Sequence, residues 1–247
     1  MQTLDIRFAA QEICNAQRAV VVVIDVLRAT STIVSALGQG CREIVAVNTI
    51  TEAEKTAARL KGALLAGERQ ALKPERFDLG NSPREFSAER VAGKTIILTT
   101  TNGTKALRSI RHAQEVLMAS FLNAEAVVRY LSGLKHDILF YCAGTDGAFS
   151  LEDTFCASVL MARLQKRKSE LRFTDAAQWS LWALHNRVPD VSELDEQAVL
   201  SVIQRSSHAL RLRSLGLQKD VDYCGRLNRY DLIPVLDRSN SIKSKHL

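Results

Sequence analysis

Short, almost unbroken apolar runs alternate along the chain with longer segments of helical period. The runs fall at Ala19 to Asp25, Glu43 to Val47, Ala63 to Ala66, Thr95 to Thr99, Glu115 to Ala119 and Asp137 to Cys142. A strand with one wet face alternates apolar and polar residues, so these continuous runs predict strands buried on both faces, as in a parallel sheet covered by helices. Between them, Ile33, Val34 and Leu37 share one helical face, as do Val127, Val128, Leu131 and Leu134, and Gly38 and Gly40 fit the end of the first helix. From Leu151 the helical period takes over, with Phe155, Val159, Leu160 and Leu164 in one stripe. Further helices are predicted over Asp175 to Asn186 and from about Ser192 to Leu215, and a last short strand around Leu232 to Val235. The pattern predicts an α/β fold: three layers, α/β/α, with a mainly parallel sheet and a helix-rich C-terminal portion. No repeat or low-complexity linker divides it, so residues 1–247 are read as one domain whose last eight or so residues form a mobile tail.

Composition narrows the function classes. With 247 residues and 46% hydrophobic content the chain has ample core, which excludes disorder as its main state. No apolar run approaches the roughly 20 residues that span a bilayer, and MQTLDIRF is unlike a secretory leader, so the expectation is a cytoplasmic protein without a membrane partner. A net charge of +6 favours anionic partners. The basic clusters, Arg163 to Lys168 and Lys243 to His246, interleave no aromatics and are read as a solvated helix end and a frayed tail, so nucleic acid is not expected. Homo-oligomer formation is compatible with the sequence. The cysteines at 14, 41, 142, 156 and 224 lack the paired spacing of a zinc site or disulfide framework, and none is followed by arginine at the spacing of a cysteine phosphatase loop.

In open parallel sheets ligands bind where the strands end, because the loops there lead into helix N-termini that offer unpaired N–H groups. The first apolar strand ends in Asp25-Val-Leu-Arg28-Ala-Thr30-Ser31-Thr32, and later ones lead to Gly67-Glu68-Arg69, to Thr99-Thr100-Thr101-Asn102-Gly103-Thr104 and to Ala143-Gly144-Thr145-Asp146. Ser150-Leu151-Glu152-Asp153 follows, and a further loop carries Gly80-Asn81-Ser82-Pro83. Carboxylates suit a hard divalent cation such as Mg²⁺, while arginines and helix-terminal amides suit phosphate, carboxylate or sulfonate. Together they describe a magnesium-dependent site for a small polyanion.

Ordinary structural roles compete for several of these residues. Thr30 or Thr32 also fits a helix cap, Asn102-Gly103 a turn, and Ser150 to Asp153 a capping box with Asp in its fourth position. Asp25 and Arg28 are harder to explain that way, since charges at a buried strand end need partners. His208 is a candidate general acid, weighed against a structural place on a helix face. A Walker A loop is missing, and Leu27 stands where a haloacid-dehalogenase type of phosphatase has its second aspartate.

Taken together, VVVIDVLRATSTIVSAL, LLAGER, FDLGNSP, TTTNGTKAL, SFLNAEAVV, CAGT, SLED and SSHALRLRSLGLQKDVDYC resemble the 2-phosphosulfolactate phosphatase family, the ComB proteins of coenzyme M biosynthesis. The resemblance runs in order from about residue 20 to 236. It implies a three-layer α/β/α fold and Mg²⁺-dependent hydrolysis of 2-phosphosulfolactate or a similar phosphorylated 2-hydroxy acid; a non-catalytic protein that binds anionic metabolites is the alternative. In this reading Asp25, Arg28 and Glu68 are catalytic, and Asp25, Glu68, Glu152 and Asp153 hold Mg²⁺. Arg28 and Arg69 clamp the anionic groups. Thr30, Ser31, Thr32, Asn81, Ser82, Thr100, Thr101, Asn102, Gly103 and Thr104 bind the remaining oxygens. Whether Asp25 binds the metal or attacks phosphorus stays open. Two segments depart from the family pattern: QALKPERF and Phe155 to Ser158 lack the glycines expected there.

Overall fold

The computed structural model describes residues 1–10, 19–103, 110 and 113–245. Ten strands form one sheet: β1 (Gln2–Arg7), β2 (Val20–Ile24), β3 (Glu43–Ala46), β4 (Leu64–Gly67), β5 (Thr95–Thr99), β6 (Glu115–Ala119), β7 (Ile138–Cys142), β8 (Leu171–Phe173), β9 (Ile233–Leu236) and β10 (Ser241–Lys245). Their order is β4-β5-β3-β10-β9-β6-β2-β7-β1-β8. The outer groups, β4-β5-β3 and β6-β2-β7-β1-β8, are parallel throughout. The β9–β10 hairpin joins them, β10 running antiparallel to β3 and β9 antiparallel to β6.

Both faces are covered, which explains the unbroken apolar runs. Along β2, Val20, Val22 and Ile24 pack into one core with Val127, Val128, Val159, Leu160 and Leu184. Val21 and Val23 face the other way, into a core with Ile33, Ala36 and Leu37 of the helix Ala29–Gly38. The sheet is therefore the middle of three layers, as the sequence predicts. Cys41, Cys142, Cys156 and Cys224 are free and buried; Cys14 lies outside the described residues. Among the described residues no helix is long and apolar enough to cross a membrane.

Four expectations are corrected. The tail is strand β10: Ile242 is fully buried, paired with Ile44 on one side and Leu236 on the other. Its lysines are not frayed, since Lys243 Nζ lies 3.2 Å from Asp237 and Lys245 Nζ 2.9 Å from Glu115. The strands β1 and β8 were not apparent from an apolar run, because β1 alternates buried and half-buried positions around Leu4 and Ile6 and β8 has only three residues. The predicted helix from Ser192 to Leu215 is broken into a short turn and the helices Glu196–Ile203 and Ser207–Ser214. Asp195 and Ser206 each cap a new start, accepting the N–H groups of Ala198 and Ala209 at 2.7 and 3.1 Å.

The central position of β10 has a measurable consequence. Ile242→Ala is expected to lower the unfolding free energy by about 2–4 kcal/mol in urea denaturation, the usual cost of emptying a buried Ile site. A change below about 0.5 kcal/mol, as at an exposed surface position, would show that β10 is not paired in solution.

Candidate active site

The cleft lies where β2, β4, β5 and β7 end, and the C-terminal helices close over it. It has a volume of about 60 Å³. Of the residues singled out in the sequence, Asp25, Arg28, Glu68, Asn81, Thr100, Thr101 and Asn102 line it, together with Gln70, Ala71, Thr145, Asp146, His208 and Arg211.

Each acid at the floor is fixed by backbone. Asp25 Oδ1 accepts the Ala29 N–H at 3.1 Å, so the first turn of the helix Ala29–Gly38 is directed at this carboxylate. Glu68 follows Gly67, where φ is +141° and any Cβ would lie 1.9 Å from the Thr99 carbonyl oxygen, so only glycine fits. Glu68 Oε1 accepts the Thr101 N–H at 2.6 Å and Oε2 the Ala71 N–H at 2.7 Å. Asp25 is pushed up to about 7, mainly by burial and further by the charges of Glu68 and Glu152; the Ala29 N–H and the Arg28 charge oppose the shift.

Arg28 is held as tightly. Its Nη1 donates to Asp220 Oδ2 at 2.7 Å, both side chains being almost wholly buried, and its Nη2 donates to the Ala71 carbonyl at 2.7 Å. The Ser82 hydroxyl donates to the other oxygen of Asp220 at 2.6 Å. Asp220 was missed in the sequence because it lies in a helix of ordinary composition, far along the chain from its partners. Ser82 thus serves the cleft through Asp220 and does not line it.

Several other predicted residues take structural roles. The hydroxyls of Thr30, Ser31 and Thr32 donate to the carbonyls of Asp25, Val26 and Asn81, each at 2.8 Å, and none lines the cleft. Arg69 faces away, bound to the Asn48 carbonyl and the Thr99 hydroxyl. Gly103 fits closely against the floor, since a Cβ there would lie 2.6 Å from the Ala29 Cβ and 3.0 Å from Asp25 Oδ2. Thr104 is outside the described residues. Phe155 to Ser158 fill the core of the helix Leu151–Arg167 and do not line the cleft.

The four carboxylates expected to hold a metal are not gathered at one point, and among the described residues no three Asp, Glu, His or Cys side chains form a metal-ligating group. Asp153 accepts the N–H groups of Val26 and Gly144 at 2.8 and 3.2 Å, tying the floor together from beneath, and burial pushes its pKa well up. Ser150 caps this helix, accepting the Asp153 N–H. Glu152 lies 3.9 Å from His208 Nδ1, and its Oε2 has no hydrogen-bond partner among the described residues. The remaining pair, Asp25 and Glu68, still suits Mg²⁺, which is commonly held by one or two carboxylates, waters and a substrate phosphate. Beside them Asn81 Oδ1 is a buried oxygen with no partner among the described residues. His208, with Nδ1 3.3 Å from the Thr145 hydroxyl, is pushed down to about 4, mainly by burial and then by Arg28 and Arg211. It is therefore neutral near pH 7, with no imidazolium proton to give a leaving group in the free protein, which favours the structural of its two readings.

Because folding raises the Asp25 pKa from its ordinary 3.8 to about 7, the stability linked to this group is complete below 3.8 and is lost as pH rises through 7. In EDTA, Asp25→Asn should therefore require more urea to unfold than the wild type at pH 8, with the difference shrinking toward pH 5. Parallel stability profiles for the two proteins would show that Asp25 is not the group titrating.

The family model described as 2-phosphosulpholactate phosphatase matches residues 8–239. A Thermotoga petrophila protein named a probable 2-phosphosulfolactate phosphatase is 47% identical over 215 residues, covering 87% of this chain and 88% of that one. Proteins of the same name from Carboxydothermus hydrogenoformans and Clostridium acetobutylicum are 39% and 38% identical, covering 94% and 86% of this chain and 92% and 87% of their own lengths. With a match across nearly its whole length, this chain belongs to the 2-phosphosulfolactate phosphatase family, a family of phosphoric monoester hydrolases.

Proposed function

We propose that the protein hydrolyses the phosphate ester of 2-phosphosulfolactate, or of a similar phosphorylated 2-hydroxy acid, with Mg²⁺ as cofactor. The observation that carries this reading is the cleft floor, where two backbone-fixed carboxylates, Asp25 and Glu68, face a buried arginine. Asp25, Glu68 and the unpartnered Asn81 oxygen are the residues that would hold Mg²⁺. When bound, the cation neutralises charge on the phosphate and on the carboxylates that oppose one another across the floor.

The protein's own groups do the rest. Phosphoryl transfer depends mainly on positioning and charge stabilisation, so donors that are already fixed are worth most. Arg28 has five N–H donors, of which Asp220 and the Ala71 carbonyl occupy two, leaving the others to bind phosphate oxygens without reorganising. The 100–102 turn supplies further polar contacts from the opposite wall. Burial of Asp25 and Glu68 keeps bulk water away from the reacting centre.

Phosphate release from a panel of phosphorylated 2-hydroxy acids is expected with Mg²⁺ and not with EDTA, and Asp25→Ala should reduce it about 100- to 1,000-fold, as for loss of a principal electrostatic group. A panel with no turnover by the wild type would refute the reading. Asp220→Asn keeps the shape but removes the charge that orients Arg28, and kcat is expected to fall roughly 10- to 100-fold. If Asp220→Asn loses no more activity in the wild-type background than in Arg28→Gln, Asp220 does not act through Arg28.

A further inference from the structure

We propose that Arg211 is the specificity-determining residue for the substrate's second acid group, and that Asp146 holds it ready for exchange; this rests on the phosphatase reading. The argument begins with charge. Asp25, Glu68 and Asp146 bring negative charge to the cleft, and Arg28 and Arg211 bring positive charge. Asp220 offsets the charge of Arg28 at 2.7 Å, within a pair that is nearly fully buried. Arg211 is different. Its guanidinium donates no hydrogen bond among the described residues, and its ion partner, Asp146 Oδ2, lies 3.8 Å away, beyond hydrogen-bond length.

Exposure gives the two arginines different tasks. Arg28 is 4% exposed, beside Asp25 and Glu68, each at 7%. The side chain of Arg211 is 45% exposed and that of Asp146 67%, which places them at the mouth. An ester with its phosphate at the floor extends its other end toward that mouth, where a planar guanidinium can take a carboxylate or sulfonate by two parallel hydrogen bonds. An exposed pair such as Arg211 with Asp146 contributes little, so exchanging Asp146 for a substrate acid costs little.

The surrounding structure keeps both ends of the exchange in register. Arg211 is three residues after His208 in the helix Ser207–Ser214, so the two share a face, and both line the cleft. Asp146, with φ of +53°, lies in a turn closed by paired hydrogen bonds between Thr145 and Ala148 at 3.1 and 2.9 Å. The Thr145 hydroxyl meets His208 Nδ1 at 3.3 Å, joining that turn to the helix that carries Arg211.

The test compares 2-phospholactate with isopropyl phosphate, which has a methyl group in place of the carboxylate. The wild type should favour the acid, and Arg211→Gln should raise KM for 2-phospholactate about 10-fold, the lower end for a charge-assisted hydrogen bond because the site is half-exposed. KM for isopropyl phosphate and kcat for both should be little changed. Arg211→Lys should fall between, and Asp146→Asn, which removes the competing carboxylate, should lower KM for 2-phospholactate about two- to fivefold. Equal effects of Arg211→Gln on both compounds, or no preference in the wild type, would overturn the assignment. Calorimetric titration of both compounds into Asp25→Asn protein and its Arg211→Gln counterpart reads the same difference without turnover. An Arg211-dependent preference in the titration, together with no phosphate release by the wild type, would sink the phosphatase reading and support this one; no preference in the titration would sink this one alone.

Discussion

The buried pair of Arg28 and Asp220 is the constraint on which the site depends. Two charges removed from water are costly, and close geometry with further hydrogen bonds on both partners offsets that cost. Here both oxygens of Asp220 are engaged, one by Arg28 and one by Ser82, and Arg28 reaches on to the Ala71 carbonyl. One carboxylate thereby ties together the turn after β2, the loops after β4 and before β5, and a helix almost 200 residues later in the chain. Loss of either partner leaves an uncompensated charge, a defect usually worth about 3–5 kcal/mol. Stability and chemistry are coupled at this point, so substitutions there affect both.

The fold was legible where burial repeats in sequence. β5 and β6 follow the predicted bounds, and β2 to β4 and β7 differ by a residue or two, because strands covered on both faces leave unbroken apolar runs. β1 and β10 were obscured by their polar alternation and the helix break by residues that are individually compatible with helix. In the site, Asp25, Arg28 and Glu68 were legible because charges at strand ends in apolar surroundings demand a reason. Thr30, Ser31, Thr32 and Arg69 sit in the same motifs but serve the backbone, a distinction of side-chain direction that spacing does not encode. Asp146 stands in a strand-end loop and Arg211 and Asp220 in a segment of the family resemblance, yet none was given a role, since they matter only through what folding places beside them.

The segment QALKPERF shows how a departure from pattern can be structural. Gln70 and Ala71 adopt φ of +54° and +71°, a left-handed conformation that favours glycine and costs other residues on the order of 1–2 kcal/mol each. The surroundings maintain it, because the Ala71 N–H is held by Glu68 and its carbonyl by Arg28. Strain of this kind persists at sites whose geometry is over-determined. A left-handed path held without glycine stiffens the wall between the acidic and basic halves of the floor.

The β9–β10 hairpin gives the molecule an order of assembly. Its two strands lie between the parallel groups, yet they follow every strand of both groups in the sequence. Each group can collapse locally, but β6 has no partner on its facing edge until Ile233–Leu236 is placed, and β3 has none until Ser241–Lys245 is. Such late, long-range pairing is slow and leaves sticky strand edges exposed in the meantime. Two strand edges thus stay open until the hairpin docks, and its docking is the step that turns two sheets into one.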